Sequence, residues 1–256
     1  MAHAEQVGPL AGRVAIVTGS GRNIGRAIAQ RLASEGAAVV VNGLTRPDQV
    51  EGTVAAIEAS GGRAVGCLAD VRKPGDVDRL VETAVSHFGG IDILVNNAAV
   101  RREGALDQTT LEEWHDILGI ILDGAFLCAQ RAAPYLRRSD QGRIVNIGGM
   151  TAGSGANHRV HVVTAKAGLE GLTKALAWDL ADSGVRVNLV HPGMMDTVRD
   201  TATVASKPRH HAIHKPLLDR RGQPGELAGF VAALCGPDGG FLTGQTIHVN
   251  GGAYLP

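Results

Sequence analysis

A β-branched run, Arg13–Thr18, breaks off into Gly19-Ser20-Gly21-Arg22-Asn23-Ile24-Gly25, and a helical pattern begins before that turn is complete. This junction constrains the fold more than any other feature of the chain. A strand that feeds directly into a helix has to return parallel to itself, by a right-handed crossover. The rest of the chain keeps the same rhythm. Strands are expected at Ala38–Asn42, Arg63–Leu68, Ile91–Val95, Gly142–Ile147, Val185–Val190 and Thr246–Val249. Between them, apolar residues at helical spacing predict helices over Asn23–Glu35, Asp48–Ala59, Pro74–Phe88, Leu111–Leu136, about Arg159–Ala181, and Gln223–Leu234. Seven strands alternating with helices give an α/β fold, a single Rossmann-like doubly wound domain with a seven-stranded parallel sheet and helices on both faces. With no linker or repeat, residues 1–256 read as one domain, and 194–221, the longest irregular stretch, as a lid beside the site.

Charge is balanced, with 25 basic and 25 acidic residues, so neither a nucleic-acid footprint nor an anionic-membrane patch is indicated. Aromatics make up 3% of the chain against 35 glycines, which suits close helix packing on a Val/Ile-rich sheet. Cys67, Cys128 and Cys235 lack paired spacing and read as buried reduced thiols. Met1–Gly12 has no apolar run, so no signal peptide is expected. No apolar stretch approaches the roughly 20 residues of a membrane span. The expectation is a cytoplasmic protein.

The glycine turn carries the first chemistry. Its backbone N–H groups and the N-terminus of the following helix converge on one point, where a pyrophosphate is stabilised. A loop used only for packing is the competing reading, and the strand–turn–helix context disfavours it. Further short stretches fall at carboxyl ends of strands: Asp70-Val71, Asn96-Asn97-Ala98-Ala99, and Pro192-Gly193-Met194-Met195-Asp196-Thr197. Open α/β sheets bind ligands on that edge.

Taken together, these motifs resemble the short-chain dehydrogenase/reductase family, from about Leu10 to the tail Gly244-Gln245-Thr246-Ile247-His248-Val249-Asn250-Gly251-Gly252. The resemblance implies a dinucleotide cofactor. Gly19, Ser20, Arg22, Asn23, Ile24 and Gly25 would line its phosphates, and Asp70 and Val71 would flank the adenine. Asn97 and Ala98 would face the ribose, and Lys166 the nicotinamide ribose, with Pro192 and Thr197 near the carboxamide. An acid at the end of the second strand favours NAD. Here that segment is Val40-Val41-Asn42-Gly43-Leu44-Thr45-Arg46, without one. Arg22 and Arg46 either hold a 2′-phosphate or are solvated loop residues; NADP(H) is favoured over NAD(H).

The catalytic positions depart from the family. The expected Asn is Ile121, the expected Ser is Gly149, and the expected Tyr is Val162; Lys166 alone remains. Reducing a ketone creates an alkoxide that needs a proton, whereas an iminium arrives protonated and a conjugated C=C spreads its charge. A tyrosine-free site therefore suits C=N or activated C=C better than a simple ketone. Substitute groups are Arg159, seven residues before Lys166 on the same helix face, His161, rotated from that face, and the Thr151 hydroxyl. Asp123 lies too far round its helix. His210 and His214 have a helical ligand spacing, but Pro208 and Pro216 interrupt and only Asp219 is nearby, so no metal is expected. The leading reading is an NADP(H)-dependent reductase of a small C=O, C=N or activated C=C substrate. Ordinary keto reduction with His161 as the acid is a variant of it. A catalytically silent dinucleotide- or partner-binding protein is the alternative. The helices Leu111–Leu136 and Ala165–Ala181 are apolar all round, which predicts a homo-oligomer, a tetramer before a dimer.

Overall fold

A computed structural model describes residues 8–198 and 214–256. The strands β1 (Val14–Val17), β2 (Ala38–Gly43), β3 (Arg63–Leu68), β4 (Ile93–Asn96), β5 (Arg143–Ile147), β6 (Arg186–Pro192) and β7 (Thr246–Val249) form one sheet in the order β3-β2-β1-β4-β5-β6-β7. Every pairing is parallel. Each residue of β1, β4 and β5 is buried, because helices cover both faces and leave no polar side to alternate with. Strand order reverses between β1 and β4, which opens a crevice at their carboxyl ends.

The helices are α1 (Asn23–Ser34), α2 (Pro47–Ala59), α3 (Pro74–Phe88), α4 (Leu111–Leu118), α5 (Gly124–Leu136), α6 (Thr151–Ser154), α7 (Val160–Asp179) and α8 (Pro224–Cys235). α1 buries Ile24, Ile28 and Leu32 in the core shared with β1, β2 and α8. It stops where Gly36 turns with φ +102, a conformation glycine adopts without a Cβ penalty, and any Cβ there would lie 2.9 Å from the Ala11 Cα. α3 starts on Pro74 and ends on left-handed Gly89, the usual proline-first and glycine-last asymmetry.

The single helix expected over Leu111–Leu136 is interrupted. Gly119–Asp123 forms one π-helical turn that separates α4 from α5. α4 packs on α7, whereas α5 packs on α3 and β4. The extra residue of a π turn is the adjustment that lets the two halves face different partners. This 26-residue path also corrects the expectation about membrane length, since it is long and apolar enough to span one, with mean hydropathy 1.3. Its contacts with β4, α3 and α7 make it a core helix of the sheet. The helix carrying Lys166 is fixed from behind by a buried polar chain. Asn96 Nδ2 donates to Asn146 Oδ1 (2.9 Å), and Asn146 Nδ2 donates to the Thr173 hydroxyl of α7 (2.9 Å).

Candidate active site

The glycine turn is knitted together from inside. Asn42 Oδ1 accepts the Gly19 N–H (3.1 Å), and the Ser20 N–H donates to the Asn42 carbonyl (2.8 Å). The Ser20 hydroxyl donates to Val17 O (2.7 Å) and accepts from Asn42 N (3.0 Å). Ser20, expected to line the phosphates, thus engages its hydroxyl and its amide within the fold. The first-turn N–H groups of α1 around Ile24 and Gly25 have no partner inside the helix and are open to an anion. The Asn97 side-chain amide donates to Thr18 O (2.9 Å) and Gly19 O (3.0 Å), fastening the turn to β4. Glycine is required at both ends of this cradle. Gly19 has φ +62, and a Cβ on Gly25 would sit 2.4 Å from Gly19 O and 2.5 Å from Asn97 Nδ2. Asn23, itself at φ +53, uses both ends of its side-chain amide on the Val198 backbone (3.0 Å each), tying α1 to the segment after β6.

Arg22 and Arg46 are both exposed at the rim of this cradle. Arg46 forms a two-point ion pair with Asp48 (3.0 and 2.8 Å), which holds the Asp48 carboxyl below its usual range. At the end of β3, Asp70 and Val71 are buried. The Arg72 guanidinium bonds the Asp70 carboxylate at 2.7 Å and lowers its pKa. Ala98 donates its N–H to the Thr18 hydroxyl (3.0 Å), and Pro192 ends β6. Beyond it the Thr197 Oγ1 is buried with no hydrogen-bond partner, as a residue waiting for a ligand's polar group would be. The cradle shaped for missing Cβ atoms and this orphaned hydroxyl both fit a dinucleotide.

Lys166 is buried on α7, and its Nζ donates to Ile147 O (2.5 Å) at the end of β5. Burial, then the charges of Arg101 and Arg159, push its pKa down to about 7. Arg159 immediately precedes α7, is 9% exposed, and its charge lowers the pKa of both Lys166 and His161. It borders a cavity of about 280 Å³ with Gly104, Leu106, Gly155, His158 and Val163. His161 is fully buried. Its Nδ1 accepts the Val162 N–H (2.8 Å), and its Nε2 lies 3.6 Å from the Glu113 carboxylate of α4. Burial lowers its pKa, with Glu113 opposing. Thr151 opens α6, a short helix absent from the sequence reading, and is buried. Asp123 has its carboxylate beside Gly119, the glycine on which Arg72 packs. Val162 and Ile121 join Ile117, Ala165 and Leu169 in one apolar cluster.

Sequence reasoning missed His191 and Glu170. His191 is fully buried near the end of β6; its Nδ1 accepts the Gly149 N–H (2.7 Å), and its Nε2 lies 3.1 Å from Glu170 Oε1. The available signal was a histidine between the Leu189-Val190 end of the expected strand and Pro192. Of the lid histidines, His210 and His211 lie outside the described residues, and His214 Nε2 lies 3.4 Å from the Ser154 hydroxyl.

A parallel sheet with a glycine cradle at its switch point, and a buried lysine at the end of β5, defines a dinucleotide-dependent oxidoreductase. Residues 19–254 match the model of a family described as enoyl-(acyl carrier protein) reductase. The 3-oxoacyl-[acyl-carrier-protein] reductase FabG of Staphylococcus epidermidis is 37% identical over 242 residues, 94% of this chain and 98% of that protein. A short-chain dehydrogenase from Burkholderia cenocepacia in complex with NADP superposes with a TM-score of 0.88 at 35% identity, covering 96% of this chain and 99% of that one. A blue fluorescent protein from a metagenomic library in complex with NADPH gives 0.88 at 34% identity, over 96% and 100%. The chain belongs to the short-chain dehydrogenase/reductase family.

Proposed function

We propose that this protein is a cytoplasmic, homotetrameric NADP(H)-dependent reductase that works without a catalytic tyrosine, on a small C=N, activated C=C or C=O substrate. The observation that carries the reading is Lys166, which is retained, buried and held on Ile147 O beside Gly149 and Val162. A scaffold with no chemistry to perform has no use for a buried amine at the nicotinamide end. Similarity to proteins bound to NADPH and NADP, with no acid at the end of β2, supports the phosphorylated cofactor.

NADPH supplies a hydride; the α1 N-terminus would hold its phosphates, Arg22 and Arg46 its 2′-phosphate, and Thr197 its carboxamide. Lys166, its pKa brought down to about 7 by burial, is a group able to keep or give up a proton there. Val162 and Ile121 replace polar positions with a packed apolar wall. Such a wall disfavours a developing alkoxide and tolerates a neutral amine or a delocalised enolate. Of the expected lid, 194–221, positions 199–213 lie outside the described residues.

NADPH oxidation against a panel of imines, enones and ketones tests the reading. Turnover of an imine or enone that Lys166→Ala abolishes, with a smaller loss of cofactor affinity, is expected. NADPH binding with no substrate oxidising it above background would leave a silent dinucleotide-binding protein.

A further inference from the structure

The loop after β5 is held by α7 at two points. Lys166 Nζ donates to Ile147 O (2.5 Å), and one turn later Glu170 Oε1 lies 3.1 Å from His191 Nε2, while His191 Nδ1 takes the Gly149 N–H (2.7 Å). These contacts determine the state of the ring. An amide N–H points at Nδ1, so Nδ1 is the acceptor, and the ring proton sits on Nε2, where the carboxylate accepts it. The ring also occupies the space beside Gly148, where a Cβ would lie 2.2 Å from Nδ1, so only glycine admits the imidazole. At Gly149 the Cβ direction is open, facing the site.

We infer that His191 is a positioning residue: fixed by Glu170 as its Nε2–H form, it holds the Gly149 backbone, the floor on which the hydride acceptor rests. What the floor carries rests on the reductase reading; the imidazole's tautomer does not. Around the ring stand Glu170 and Lys166 from α7 and His248 from β7, its ring centroid 5.0 Å away, with Tyr254 packed behind His248. Burial above all, with His248 and Lys166, keeps His191 neutral, and Glu170 opposes them. A protonated ring has no lone pair for Gly149, so acid releases the floor.

The test is long-range ¹H–¹⁵N NMR of the histidine rings of the cofactor-free protein, with the Gly149 amide followed through a pH titration. The expected result is the Nε2–H tautomer at neutral pH and a Gly149 shift with the His191 midpoint. Glu170→Gln should lower that midpoint, because the carboxylate's raising influence is lost. An Nδ1–H tautomer, or a Gly149 amide indifferent to the His191 midpoint, overturns the inference. In turnover, His191→Leu should lose about 10-fold or more, the equivalent of one buried donor left unpaired. His191→Asn, whose amide oxygen accepts the same N–H but does not titrate, should recover most of the rate and lack the His191 acid limb. An acid limb at the His191 midpoint measured by NMR that survives in His191→Asn overturns the positioning role. If no substrate is turned over, the reductase reading falls on the panel, and the same variants are read in NADPH affinity across pH, with the same two outcomes.

Discussion

Arg46 is engaged with Asp48 at the surface, so reading a 2′-phosphate means exchanging one exposed carboxylate for a more highly charged anion. Arg46→Ala should cost NADPH about 10- to 100-fold in affinity and leave NADH nearly unchanged, checked by calorimetric titration. Equal losses would show that the arginine does not discriminate. Lys166 makes a prediction about stability. Its folded pKa, about 7, lies below the ordinary 10.5, so between these values the unfolded chain binds the proton and the native one does not. Native stability from this group therefore rises with pH through that window, and it is lost as pH falls towards 7. Urea unfolding of the cofactor-free protein at several pH values should show this rise, and Lys166→Met should remove it. His161 is enclosed between its own helix and Glu113. His161→Ala should lower the melting temperature and reduce turnover by less than about 10-fold, whereas a fall near 10²-fold would return it to the role of general acid.

At the scale of elements, the cradle and the β5 loop behave differently towards added atoms. Gly25→Ala forces a Cβ to 2.4 Å from a backbone carbonyl, so NADPH binding should be lost in fluorescence titration even where the protein folds. Gly149 has open space at its Cβ, so Gly149→Ser should be accommodated there. Combined with Val162→Tyr it should confer ketone reduction, and failure with fold and cofactor affinity intact would mean the positions are misaligned. The strands and most helices were legible because each is one apolar run with its own stop, such as Gly36 after α1 and Pro74 before α3. The cradle's location was legible too, since glycine spacing follows from backbone approach. Its internal wiring was not. Ser20 and Asn97 are expected at the ligand from sequence, and the structure adds hydrogen bonds to Asn42, Val17 and Gly19, partners fixed only by parallel pairing. The same is true of His191 and Glu170, which meet because β6 lies under α7.

Across the whole molecule, Phe126 on α5 is 46% exposed and Trp178 on α7 is 85% exposed, large apolar groups on the two helices expected to mediate assembly. Light scattering should give a tetramer at micromolar concentration, and Trp178→Glu should shift it to a smaller species; a monomeric parent protein would remove the proposal. The π turn at Gly119–Asp123 has a consequence on this scale. One residue beyond the α-helical count rotates everything downstream by about 100°, so α4 and α5 are out of phase with each other. A scan of apolar substitutions along 111–136 should then show two separate periodic series of sensitive positions with a break between them. Removing one residue at the break would merge the series into one continuous stripe. α4 and α5 could then no longer both keep their partners, and the wall that carries Ile121 would swing away from Lys166.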